Sequence, residues 1–149
     1  MGALATADGQ PTSLYYGLKT ANRDFASMAG QLQPLKSLGA YHAGTLPLGG
    51  VALPPTAPFR LEPALPTQEP QNMKPVEGFL LGYFGPAAGQ PTHVVVVNLD
   101  YDHSAETALV GPGKMQTFNP GRGQWSAVGA EWLKLHLPPG GAQLVRLAQ

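Results

Sequence analysis

A chain of 149 residues with nine basic and nine acidic side chains has no formal net charge at pH 7, which argues against a nucleic-acid-binding surface, since that requires a basic excess. Charged residues make up only 12% of the chain, about half the usual quarter, while a 43% hydrophobic share is enough for an ordinary core. There is no cysteine, which removes disulfides, thiolate catalysis and cysteine-based zinc sites together.

The length fits one domain, or one domain plus a piece of another. No apolar run approaches the roughly 18 residues that span a bilayer, so no membrane partner is expected. The start, Met1–Gly9, lacks the basic region and long apolar core of a secretory signal; the signal of an exported parent protein is expected upstream.

Ala7–Ser13 is turn chemistry running into a helix start, with Thr12 or Ser13 able to cap free N–H groups. Behind it Leu14, Leu18, Ala21, Phe25, Met28, Leu32 and Leu35 recur at spacings of four and three, an amphipathic stripe. Gly30 and Pro34 mark a bend, because a proline ring clashes with the carbonyl four residues back. The pattern predicts a helix from Ser13 to about Leu38, stopped by Gly39. Tyr41 and His42 follow, the histidine expected to be a hydrogen-bonded structural residue.

From Gly44 to Pro75 the chain carries eight of its 16 prolines, too many for a helix or a central strand. Leu46, Leu48, Val51, Leu53, Phe59, Leu61 and Leu65 are interspersed, so the segment is expected to lie as an ordered connector against the folded body, with an edge strand at Phe59–Glu62. Its length makes it a passage between two domains.

After Pro75 the pattern is all-β. Thr92–Leu99 holds four consecutive valines, β-branched residues suited to a pleated surface. The run is read as the central strand of the sandwich, covered on both faces. The other candidate strands are Gly78–Phe84, Glu106–Val110, Met115–Asn119, Gln124–Ala127, Trp132–Leu137 and Gln143–Leu147, separated by Gly/Pro turns. In the sixth, Trp132, Lys134 and His136 share one face and Leu133, Leu135 and Leu137 the other. In the last, Leu144 and Leu147 cannot share a face, so either a bulge intervenes or both faces are partly covered. The expected fold is therefore mainly β: an antiparallel β-sandwich of about seven strands, preceded by one long amphipathic helix and a proline-rich connector.

No catalytic constellation stands out. Asp100-Tyr-Asp-His103 is the densest polar cluster, and its carboxylates and imidazole are of metal-ligating type. Four adjacent residues in one turn fit better with Asp side chains bonding local N–H groups. Glu77, Glu106 and Glu131 lie beside turns, with no context implying a raised pKa for a glycosidase acid. The serines lack a Gly-x-Ser-x-Gly elbow, and Gly111-Pro-Gly-Lys114 lacks the glycine spacing of a phosphate loop. No cofactor or metal is called for. The candidate carbohydrate contacts are Trp125, whose ring could stack on a sugar or lie in the core, and Tyr101.

Asp8-Gly-Gln-Pro-Thr-Ser-Leu-Tyr-Tyr-Gly-Leu-Lys-Thr-Ala-Asn22 resembles the last barrel helix of retaining glycoside hydrolases built on a (β/α)8 barrel, where a DGxPT…Y…N segment follows the final strand. Tyr41-His-Ala-Gly-Thr-Leu-Pro47 resembles the departure from that barrel. Val94–Asp100, Phe118–Trp125 and Leu135–Leu147 resemble the accessory β-sandwich of beta-galactosidase-like members of that clan, with its VVVNxD strand and closing hairpin. The order and spacing of these motifs carry the likeness. It implies three parts: residues 1–43 as the end of a catalytic barrel, 44–75 as the connector and 76–149 as the C-terminal sandwich. It also implies that the catalytic glutamates stand upstream, that this chain alone is non-catalytic, and that its partner is the catalytic barrel of the same polypeptide. A carbohydrate-binding module is the alternative. Self-association through the helix face is the expected behaviour if the barrel is missing.

Overall fold

The computed structural model describes residues 3–69, 77–87 and 89–149. The end of the proline-rich stretch and the expected boundary at 75/76 lie outside the described residues. Helix α1 spans Ser13–Leu32. Among the described residues nine strands follow: β1 Lys36–Gly44, β2 Arg60–Glu62, β3 Gly78–Gly85, β4 His93–Asn98, β5 Ala105–Val110, β6 Met115–Asn119, β7 Gln124–Trp125, β8 Trp132–Leu137 and β9 Ala142–Leu147. They form a six-stranded antiparallel sheet in the order β1-β3-β4-β9-β6-β7 and a three-stranded one in the order β2-β5-β8.

Thr12 is the N-cap of α1 and its side chain accepts from the Tyr15 N–H. The helix ends sooner than its apolar spacing predicts. Gln33 still donates to the Ala29 carbonyl at 2.9 Å, but Pro34 has no N–H to continue the ladder. The chain turns there and enters β1, so Lys36–Leu38 are strand rather than helix. β1 pairs with β3 from Lys36↔Gly85 to Gly44↔Gly78, with a bulge at Ser37/Gly39. At the far end of that pairing a Cβ on Gly78 (φ +113°) would stand 2.0 Å from the Ala43 carbonyl oxygen; only glycine lets the two backbones approach so closely.

The two sheets face each other across one core. Phe79, Leu81 and Tyr83 of β3 pair with Asn98, Val96 and Val94 of β4 and point inward. Leu109, Leu135 and Leu137 reach them from the smaller sheet. The connector contributes Ala57, Phe59 and Leu61 to this core, and the buried Tyr83 hydroxyl donates to the Phe59 carbonyl. Leu48, Val51 and Leu65 of the same connector remain exposed. Arg60–Glu62 is an edge strand, as expected.

β4 is an inner strand whose two faces differ. Val94 and Val96 are fully buried, while Val95 and Val97 are half-covered. The expectation that both faces are fully covered is met on the inner face only: the outer pair opens onto the space beneath α1. On β9, Leu144 and Val145 are both fully buried, so cover on both faces, rather than a bulge, explains its pattern.

Candidate functional site

The helix is the unusual element. None of its residues is buried, although its apolar stripe would line a core in most amphipathic helices. Leu14, Leu18 and Phe25 are 49%, 46% and 69% exposed. Only the C-terminal part of the stripe comes near the sandwich. There Phe25, Met28, Leu32 and Leu35 face Leu80, Phe84, Val95 and Val97 of the six-stranded sheet across a groove of about 730 Å³. The groove wall is almost wholly hydrocarbon, so filling it with an apolar partner would remove large side chains from water at about 1.5–3 kcal/mol each.

Trp125 fastens this arrangement. Its Nε1 donates to Oε1 of Gln31 on α1 at 3.1 Å. The Arg146 guanidinium lies 4.1 Å from the ring centroid, a cation–π contact, and Phe118 and His93 pack around the indole at 5.0 and 5.8 Å. Trp125 is thus half-buried and committed to partners within the chain. Tyr101, 72% exposed, sits in the turn beyond the Asn98 end of β4, whereas Trp125 packs at the His93 end. The two candidate carbohydrate contacts are therefore not brought together.

The Asp100–His103 turn is built from local hydrogen bonds. Asp100 Oδ1 accepts from the N–H groups of Asp102 (2.8 Å) and His103 (3.0 Å), and Oδ2 lies 3.0 Å from His103 Nδ1. These bonds, the Asp102 N–H foremost, hold the Asp100 carboxyl below its ordinary pKa. Among the described residues no group of three or more His, Cys, Asp or Glu side chains is arranged to hold a metal ion. A cleft of about 360 Å³ at that end of the sandwich is lined by Glu77, Asp100 and Glu106. Asp100 and Glu106 both have lowered pKa values, whereas a glycosidase general acid needs a raised one. His42 lies against Gly50, and its Nδ1 is buried without a hydrogen-bond partner among the described residues; the bonded role expected for it is not seen.

No helix among the described residues is long and apolar enough to cross a membrane. Comparison with protein-family models, curated proteins and solved structures gave no match.

Proposed function

We propose that this chain is a non-catalytic accessory β-sandwich of a glycoside hydrolase, joined through α1 to a catalytic (β/α)8 barrel encoded upstream. The observation that carries the reading is the uncovered stripe: Leu14, Leu18 and Phe25 stand in solvent on a helix with no buried residue. A 20-residue helix held mainly at its C-terminal end gains little from the sandwich alone, and a barrel surface supplies the missing cover. The resemblance of Asp8–Asn22 to a last barrel helix, followed by an antiparallel sandwich, supports the same reading. In this role the sandwich braces the barrel and contributes to oligomer or carbohydrate contacts.

The deciding experiment is to read the coding frame upstream and express the extended chain. A barrel domain should be found, and hydrogen exchange around Leu14–Phe25 should slow markedly in the longer protein. An upstream frame without a barrel, or a stripe that exchanges equally fast in both forms, would overturn the proposal.

A further inference from the structure

The sheet orders leave four edge strands among the described residues, β1 and β7 in the larger sheet and β2 and β8 in the smaller. Three of them are short or interrupted. β1 carries its bulge at Ser37/Gly39, and further along it the His42 N–H and C=O are taken by Val51 and Leu53. β7 has two residues, and β2 has three, between Pro58 and Pro63. Such devices are the ordinary protection of a sheet edge. β8 has none of them. Its six residues pair with β5 without a register shift, from Ala105↔Leu137 to Val110↔Trp132.

The direction of the free backbone groups of β8 follows from one bond. The Gly111 N–H donates to the Glu131 C=O at 2.9 Å, one step beyond the Val110↔Trp132 pair. Opposite residues of an antiparallel ladder alternate between exchanging both backbone bonds and exchanging none. Leu133, Leu135 and Leu137 therefore bond to β5, and the N–H and C=O of Trp132, Lys134 and His136 point out from the sheet edge. No backbone group elsewhere among the described residues takes them.

We infer that β8 is a docking edge for an extended, acidic segment of another polypeptide, which adds to the smaller sheet as a fourth strand and sets a carboxylate opposite Lys134. The backbone selects the shape of the partner. Donors and acceptors that recur at every second residue, about 7 Å apart, are matched along their whole length only by another strand. The side chains select its charge. Lys134 and His136 stand on the edge strand itself, within about 5.5 Å of the residues an added strand places opposite them, whereas Glu106 lies one strand further in and Glu62 two. Lys134 Nζ reaches back to Glu106 at 3.0 Å, but both side chains are more than half exposed, and an ammonium has donors for a second carboxylate. The same lysine excludes a second copy of this chain. Two-fold pairing of β8 with itself, using all three free rows, sets Lys134 opposite the Lys134 of the other copy, a destabilising like-charge contact. Shifting that register brings in Ala130, whose C=O already accepts from the Met115 N–H, or Pro138, which has no N–H. The inference is independent of what covers the helix, because α1 faces the six-stranded sheet.

The test uses the 149-residue chain and two blocked peptides, acetyl-Val-Thr-Val-Glu-Val-Thr-Val-amide and the same sequence with Lys in place of Glu. In the free chain, amide exchange along β8 should alternate, fast at Trp132, Lys134 and His136 and slow at Leu133, Leu135 and Leu137. The Glu peptide should slow exchange at the first three, shift their resonances and bind about fivefold tighter than the Lys peptide. His136→Pro removes an outward N–H that the sheet does not use. It should keep the fold, as read by its urea midpoint, and weaken binding about tenfold. Lys134→Glu, which keeps every backbone bond, should reverse the preference between the two peptides. Slow exchange at Trp132, Lys134 and His136 in the free chain, no binding of the Glu peptide, shifts confined to the groove beneath α1, or a preference unchanged in Lys134→Glu would each overturn the inference.

Discussion

Gln31 and Trp125 stand 94 positions apart in the chain, yet the indole N–H of one donates to the amide oxygen of the other at 3.1 Å. The bond links a helix without a buried residue to the far edge of the six-stranded sheet, next to the stacked Arg146. Gln31→Ala should therefore loosen α1 more than it lowers global stability. The expected loss is about 0.5–1.5 kcal/mol, the usual net worth of one such hydrogen bond. Amide exchange in α1 should quicken while the sheets keep their protection; a uniform change in both would contradict this.

The exposed stripe should drive association of the isolated chain, because apolar patches of this kind are rarely left bare. Sedimentation at increasing concentration should show self-association, and Leu18→Asp with Phe25→Asp should abolish it without altering the urea midpoint of the sandwich. A chain that stays strictly monomeric at high concentration would sink the docking role of α1.

The isolated chain should not hydrolyse aryl glycosides. Glu106 is held ionised chiefly by its hydrogen bond with Lys134, and none of the shifted carboxyl groups has the raised pKa of a general acid. Turnover that survives repurification and disappears on replacing Glu77, Glu106 or Glu131 would refute the non-catalytic assignment.

The four valines of β4 should split into two pairs. Val94→Thr and Val96→Thr place a hydroxyl at fully buried positions and should each cost about 1–3 kcal/mol. Val95→Thr and Val97→Thr face the groove beneath α1 and should cost about 0.5 kcal/mol or less. Equal losses in urea melts at all four sites would mean that the groove is closed in solution.

His93 supplies a pH dependence. Burial, aided by the nearby Arg146 charge, holds its imidazole below the ordinary value of 6.5. As pH falls through about 6.5 the unfolded chain gains a proton that the folded chain does not, so stability drops until the folded value is reached. The contribution is fully present above that window. His93→Gln should flatten the slope of urea midpoint against pH just below 6.5, and an NMR titration should place the His93 midpoint under that value. A midpoint at or above 6.5 would show that the ring is better solvated than its packing against Trp125 indicates.

Much of the sandwich was legible because its strands announce themselves locally. Alternation in Trp132–Leu137 grouped the residues that share a face, and Gly/Pro turns marked the gaps; the valine run announced β4 as a strand but not that Val95 and Val97 are only half-covered. β1 was hidden for a physical reason. Leu32, Leu35 and Leu38 keep helical spacing, and only pairing with β3, from 34 (Gly44↔Gly78) to 49 (Lys36↔Gly85) residues later in sequence, makes the segment a strand. Pro34 was the one local sign of the change. The fate of Trp125 was equally out of reach, since it is set by Gln31 and Arg146 from opposite ends of the chain. Trp132 was the reverse case: that it shares a face with Lys134 and His136 followed from period-two alternation alone.

The place of β9 has a consequence for how the protein must be made. It lies between β4 and β6 and, among the described residues, is the strand that joins β1-β3-β4 to β6-β7. During synthesis the other described strands of this sheet leave the ribosome before it, so the larger sheet waits in two halves with the flanks of β4 and β6 unpaired. A nascent chain stalled before Ala142 would expose the valine strand as an open edge, and chaperone capture should peak at that length.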